Sequence, residues 1–475
     1  MGVPMRFEHL LQMAERPGLP EPIRRLRRDG LRALVEAIES VLPEVLLPAK
    51  VHLDDDVLAI DDVTVARKAF PPVVIVGGGK ATAGMCRSLV ALLEESTPFT
   101  GAVNIPYGQP VPDKITAPGR RGEVHVTFCS HPIPDEAGVA GVEKMCRIIA
   151  ASPPETLVLA LISGGGSALM PLPAEGITLK DKQAVNRLLL SCGASIREIN
   201  CVRKHLSRVK GGGLSAVAHP RRVFSLIISD VVGDDLQVIA SGPTVPDATT
   251  FAEADDIVRR YGILEQLPQS VRRRLADGLA GRIAETPKPG DPIFKNTVNR
   301  IIGSAQTAAA VARQSLAQRR YDAGIFAADL HGEARRYGAQ LARQLPGFHA
   351  GGSRRAAIGT GEFTVTLRGS GSGGRNQEML LAVLDELSET PHLEAHRLSW
   401  VVISAAFDGI EGNSGAMGAV IDSTSLERSK ALGIDLRSHL ERNDAKAVFQ
   451  ALGDLLVTGQ TGTNVNDMTL ILIDG

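Results

Sequence analysis

Apolar residues recur along this chain in two rhythms. Near the N-terminus, GLRALVEAIESVLPEVLL (Gly30 to Leu47) repeats them at helical spacing, so residues 1 to about 60 are expected to be helical. From residue 70 onward, short β-branched runs alternate with helix-like stretches. PPVVIVGGGK, TGAVNIPYG, GEVHVTFCSHPIPDEAG, TLVLALISGGGS and RRVFSLIISDVVGDD read as strands. MCRSLVALLEEST and VEKMCRIIAAS read as the helices between them. The strands are almost continuously apolar, which predicts a mostly parallel sheet covered on both faces. The pattern changes at RLADGLAGRIAETPKPGDPIFKNTVNR, rich in Pro, Gly and charge, which places a domain boundary near Pro289 to Phe294. Beyond it, strand and helix alternate again through RIIGSAQTAAAVARQSLAQRR and WVVISAAFDG. The expected organisation is two α/β domains, residues 1–290 and 291–475.

Composition narrows the function classes. A net charge of −1 and 4% aromatic residues leave no footprint for nucleic acid. No apolar run approaches the length of a bilayer span, and the N-terminal MGVPMRFEHLLQMAERPG lacks the apolar core of a signal peptide. Five scattered cysteines without CxxC spacing suit a reducing compartment and no zinc site. The expectation is a soluble cytoplasmic protein.

Open α/β sheets bind ligands beyond the carboxyl ends of their strands, and those exits are readable here. The first carries Gly77, Gly78, Gly79 and Lys80 before a helix, and reads equally as an anion loop or as a tight turn with a solvated lysine. The dinucleotide fingerprint fails, because Thr82 stands at its third small position, and Walker A spacing is absent. The second exit, Ser163, Gly165, Gly166 and Ser167, repeats the device of amides plus a hydroxyl. In INCVRKHLSRVKGGGL, a continuous helix would set Arg203, Ser207 and Lys210 on one face as the wall of an anion site, although the local pattern slightly favours a solvated basic face. The third exit releases Asp230, Asp234 and Asp235, hard oxygen donors that suit Mg²⁺ beside phosphates, or a proton acceptor. In the second domain, RGSGSGGRNQE brings Arg375, Asn376 and Glu378 to a helix start. FDGIEGNS offers Asp408 and Glu411, and TGQTGTNVND offers Thr461, Thr463, Asn464 and Asp467.

Taken in order, VGGGKA, SGGGSALMPLPAEGITLKDK, VRKHLSRVKGGGL, SDVVGDDLQVIASGPTVPD, GSGSGGRNQE and TGQTGTNVNDM resemble the type-2 glycerate kinases, the MOFRL family, from about residue 5 to the C-terminus. The resemblance implies two α/β domains, the first Rossmann-like, with the active site in an interdomain cleft. It implies ATP and Mg²⁺, D-glycerate as acceptor and 2-phosphoglycerate as product, with a homodimer possible. Lys80 and Arg375 match the family's key basic residues, and Asp230 is assigned as the group that orients or deprotonates the acceptor. Gly78, Gly79, Ser163, Gly165, Gly166, Ser167, Arg203, Lys210, Asn376, Glu378, Asp408, Thr463 and Asn464 become substrate or phosphate contacts. Asp230, Asp234, Asp235 and Asp467 become metal ligands. Phe407, Gly415 and Gln460 depart from the family pattern. The competing expectations are an NAD(P)H-dependent hydroxypyruvate reductase and a catalytically silent binding protein.

Overall fold

The structure, a computed structural model, describes every residue except 1–6, 54–56, 67–71, 94, 96, 349–353 and 475. Most of the N-terminal stretch read against a signal peptide is described, but its first six residues lie outside. The chain forms two compact units, Leu46–Ile302 and a second made of Met1–Val45 with Gly303–Gly475.

The unit Leu46–Ile302 holds a small antiparallel sheet, β1 (Val51–Leu53), β2 (Val57–Ile60) and β3 (Val63–Ala66), and a seven-stranded one. The latter comprises β4 (Val73–Gly78), β5 (Phe99–Pro106), β6 (Lys114–Ile115), β7 (Gly122–Cys129), β8 (Leu157–Ile162), β9 (Arg222–Ile228) and β10 (Thr297–Gly303), in the order β10-β9-β8-β4-β5-β7-β6. The pairs β4/β5, β4/β8, β5/β7 and β8/β9 are parallel, and β6 is an antiparallel edge. Both β4 and β8 are buried at every position, as continuous apolar strands in a covered sheet should be. After β4 the chain builds outward through β5 and β7, then returns to β8 on the other side of β4. The strand order therefore reverses between β4 and β8, and open sheets leave a ligand crevice at that point.

Between β8 and β9 the chain inserts helices, among them Leu179–Ser191 and Ile196–His205. Each starts on a reciprocal cap: Thr178 with Asp181, and Ser195 with Glu198. With Phe251–Arg260 and Gln269–Leu279 they share an apolar cluster that includes Val185, Leu189, Val202, Phe251 and Leu275.

The other unit is built on a six-stranded sheet: β11 (Asp322–Glu333), β12 (Arg355–Thr364), β13 (Ser399–Ala406), β14 (Gly418–Asp422), β15 (Leu455–Leu456) and β16 (Asp467–Asp474), ordered β11-β12-β16-β13-β14-β15. The pair β11/β12 is parallel; β12/β16, β13/β16, β13/β14 and β14/β15 are antiparallel. The helix Arg375–Glu389 is buried from Asn376 to Asp385.

The N-terminal helix Glu21–Ser40 belongs to this second unit, so the units do not follow the expected 1–290 and 291–475 stretches. The physical reason lies in its buried face. A Cβ at Gly30 would lie 2.8 Å from Ile403 Cδ1 and 3.1 Å from Leu472 Cδ1, so the glycine lets the helix sit close to the sheet without displacing those side chains. Arg27, fully buried in the same stripe, donates to Asp422 at 2.6 Å and to Asp454 at 2.9 Å. Breaking a buried, hydrogen-bonded pair of this kind costs about 3–5 kcal/mol.

Candidate functional site

The exits of β4 and β8 lie against each other at the reversal of strand order. Gly77 and Gly79 have φ of +154° and +155°. A Cβ at Gly77 would lie 1.9 Å from the Leu161 carbonyl oxygen, and one at Gly79 2.1 Å from the Ser163 Oγ. The glycines are there because two backbones meet, not to expose amides. The Gly79 N–H donates to the Asn104 carbonyl at 3.3 Å and that of Lys80 to the Gly164 carbonyl at 2.8 Å. The Ala81 N–H donates to Ser163 Oγ at 3.0 Å. These amides are satisfied within the protein, which accords with the tight-turn reading of this loop. Lys80 follows the loop, half-buried, with its carbonyl held by Gln109 Nε2 at 2.7 Å.

Ser163 is likewise a buried structural acceptor. Gly165, at φ +81°, turns the chain into a single helical turn, Gly166–Leu169. Ser167 Oγ lies 2.9 Å from Ser241 Oγ, which donates to Asn200 Oδ1 at 2.9 Å. The loop after β9 is backbone-strained: Asp234, Ala240 and Ser241 all have φ between +50° and +63°. Such conformations cost of order 1 kcal/mol or more each and gather at functional sites.

Arg203 and Lys210 do come together, by a route other than the expected continuous helix. The helix ends at His205, Ser207 turns to donate to the Leu172 carbonyl at 3.0 Å, and Lys210 follows in a loop. Both cations line a cavity of about 170 Å³ with His131, Ser167, Asn186 and Lys182. Asn186 Oδ1 holds the Arg203 Nε. Lys210 Nζ donates to the Ser167 carbonyl at 3.0 Å and that of Ala240 at 3.4 Å. The Lys182 Nζ is buried and has no hydrogen-bond partner among the described residues. No acidic side chain lines this cavity among the described residues. Burial, with the like charge of Arg203, pulls the Lys182 ammonium down to about 7. Burial, with Lys182 and Arg203 alongside, lowers Lys210 well below the ordinary lysine range. Burial also lowers Arg203.

Lys182 is the residue that sequence reasoning missed. A signal was present, since the cap at Thr178 sets the helix start and Lys182, Val185 and Asn186 then share one face at i, i+3 and i+4. Nothing along the chain says that its ammonium lacks an anion.

The carboxylates after β9 are more dispersed. Asp235 pairs with Arg197 at 3.0 Å and accepts from its own loop at the Gln237 N–H, while Asp230 and Asp234 are half-buried. No group of three or more Asp, Glu, His or Cys among the described residues forms a ready metal cage.

In the second unit the groups expected to meet substrate are bound to one another. Arg375 donates to both oxygens of Asp467, at 2.5 and 2.7 Å, and contacts Glu362 at 3.0 Å. Glu411 accepts from the Asn376 and Gln377 N–H groups at 2.6 and 3.0 Å, so the helix N-terminus after the glycine run is already capped by a carboxylate. Burial pushes Glu411 up to about 8 and Asp467 up to about 6, against the pull of Arg375. Asn376 also accepts from Ser404 at 2.5 Å, and Glu378 accepts from Arg335 and Asn443. Thr463 donates to the Val41 carbonyl at 2.7 Å, and Asn464 Oδ1 accepts from the Asn466 N–H at 3.4 Å. Asp408 Oδ1 accepts from the Ile410 N–H at 3.4 Å. Asn376, Glu378 and Thr463, expected as substrate or phosphate contacts, and Asp467, expected as a metal ligand, are thus held by partners within the protein. Of the family departures, Phe407 enters the core, Gly415 turns at φ +71° and Gln460 is exposed.

Residues 30–276 match a domain of unknown function, DUF4147, and residues 355–467 match the MOFRL family. The chain is 35% identical to the glycerate 2-kinase of Pyrococcus horikoshii, over 94% of this chain and 97% of that protein. It is 41% identical to an Agrobacterium vitis protein provisionally named a hydroxypyruvate reductase, over 84% of this chain and 87% of that protein. The crystal structure of a glycerate kinase from Thermotoga maritima matches with a TM-score of 0.78 at 31% identity, covering 96% of this chain and all of that one.

Proposed function

The chain belongs to the MOFRL family of glycerate 2-kinases, and from that premise we propose that it transfers the γ-phosphoryl group of ATP to the C2 hydroxyl of D-glycerate, giving 2-phosphoglycerate and ADP. The observation that carries the reading is the unpaired cation pocket beside the reversal of strand order. A kinase for a small acid must gather several negative charges in a small volume, and basic groups with no counter-ion among the described residues are the feature such chemistry needs.

In this proposal Lys80 meets the transferring phosphoryl group, while Arg203 and Lys210 add positive charge. Asp230 orients the C2 hydroxyl and accepts its proton as the hydroxyl oxygen bonds to Pγ and the Pγ–O bond to ADP breaks. Asp230, Asp234 and Asp235 are hard oxygen donors of the kind Mg²⁺ takes, and that ion is commonly held by one or two carboxylates with phosphate oxygens and water. Their scatter suits an ion that arrives with the nucleotide. When bound, Mg²⁺ would neutralise phosphate charge.

Against the reductase reading stands the first loop. Thr82 replaces the third small residue of a dinucleotide loop, and the amides of residues 79–81 are already satisfied within the protein. The five free cysteines suit the reducing cytoplasm we propose as its compartment. Among the described residues no helix is long and apolar enough to cross a membrane.

The test is an assay of the purified chain with ATP, Mg²⁺ and D-glycerate, with phosphorus NMR of the product and a parallel incubation with hydroxypyruvate and NADH. The expected result is ADP and 2-phosphoglycerate in the first, with negligible NADH oxidation in the second. Rapid NADH oxidation without ATP, and no ADP from glycerate, would reverse the reading.

A further inference from the structure

We propose that the pocket walled by Lys182, Arg203 and Lys210 seats the carboxylate of the acceptor acid, with the Lys182 ammonium as its direct partner; this rests on the kinase reading above and names the part of the substrate that this pocket takes.

Size favours a small acid. At about 170 Å³ the cavity is below the roughly 300–1,000 Å³ of pockets that enclose drug-sized ligands. It has room for a three-carbon acid and not for a nucleoside.

Charge says what kind of group fills it. Arg203 and Lys210 are fixed by neutral acceptors, the Asn186 amide oxygen and the Ser167 and Ala240 carbonyls. These orient the cations and do not neutralise them. The Lys182 Nζ is buried with no partner among the described residues. Three basic groups gathered in this way, with no acid in the lining among the described residues, make their charged forms costly while the pocket holds no anion. An incoming carboxylate removes that penalty, and against the proline and aliphatic walls the ion pair is stronger than in water.

A structural lysine would look different. Lys204, buried one residue after Arg203, is paired with Asp247 at 3.2 Å. Lys182 has no such partner among the described residues. Burial holds its ammonium down near 7, and an anion would raise it again, so binding and proton uptake are coupled.

The test uses the full chain and its Lys182→Met variant. In steady state, the KM for D-glycerate should rise at least about tenfold, as loss of one charge-assisted contact implies, and the KM for ATP should stay within about twofold. Calorimetry without ATP should show D-glycerate binding to the native chain, weakened in the variant, and no binding of glycerol, which lacks the carboxylate. The melting temperature of the variant should not fall, because an unpaired buried ammonium has been removed. Lys182→Arg, which keeps the charge, should restore part of the glycerate affinity. A rise in the KM for ATP in place of that for glycerate would overturn the proposal in favour of a nucleotide phosphate. Equal D-glycerate affinity in native and variant chains, or equal binding of glycerol, would also overturn it. The two readings fail separately. Lys182-dependent glycerate binding without ADP formation breaks the kinase reading alone. Turnover with an unchanged glycerate KM in Lys182→Met breaks the carboxylate assignment alone.

Discussion

Each unit of this protein buries a cluster of charge, and the two clusters are built in opposite ways. Around Arg375, Asp467 takes the guanidinium with two bonds, Glu362 takes another edge, and Glu411 caps the helix that Arg375 begins. Around Lys182, three cations share a cavity in which no acid answers them among the described residues. The first cluster holds its own structure together. The second is incomplete until an anion enters. Both stretches combine glycine runs with basic residues along the chain. Pairing, not composition, separates a charged cluster that stabilises the fold from one poised to bind.

The sharpest way to break this contrast is to remove a partner from the closed cluster. Asp467→Ala leaves Arg375 without its bidentate acceptor and should cost about 3 kcal/mol of stability, measured as a lower denaturant midpoint. If stability held while Lys182→Met unfolded the protein, the contrast would be inverted. Next in size is Lys80→Ala, expected to fold with an unchanged melting temperature and to lose about a hundredfold in kcat, the scale for removing one charge from a transition state. Near-normal glycerate turnover in that variant would remove Lys80 from the mechanism.

A smaller effect comes from pH, and it should run in opposite directions in the two clusters. Lys182, faced in its pocket by Arg203, Lys210 and His131, has a folded-state pKa near 7, below its unfolded value. The folded form thus binds fewer protons, and the ligand-free protein gains stability from this group as pH rises from about 7 toward 10. Over the same range D-glycerate affinity should fall, by at most about tenfold per pH unit, as the ammonium is lost. Burial raises Asp467 to about 6 and Glu411 to about 8, so their contribution is present at low pH and is lost as pH rises through those values. Denaturant melts of Lys182→Met and Glu411→Gln across pH 5 to 9 separate the two slopes. A pH profile left unchanged by either substitution would erase the distinction.

How much of this was readable in the chain can be judged residue by residue. The strands leading to Gly77, Ser163 and Asp230 were readable because continuous apolar β-branched runs have few alternatives once both faces of a sheet are covered. The helix start at Thr178 was readable from its reciprocal cap. The ordered motifs carried the family. The purpose of the first glycine loop stayed open between two readings along the chain: it permits β4 and β8 to touch, a fact that rests on residues 82 to 84 positions apart in the chain. The basic stripe reached Arg203 and Lys210 through a helix that in fact ends at His205. Arg27, a charge inside an apolar stripe, was a visible hint that the first helix docks on acidic partners, but its partners lie some 400 residues away in sequence.

The sequence by itself thus determined the local elements, the polar exits of the first sheet and the family, because turn chemistry, capping and strand burial act between residues close in the chain. The tertiary structure decided which unit the N-terminal helix joins, which amides are already satisfied, and which buried charges are paired. Those outcomes depend on desolvation and on contacts of about 3 Å between segments remote in sequence, and composition carries no record of either.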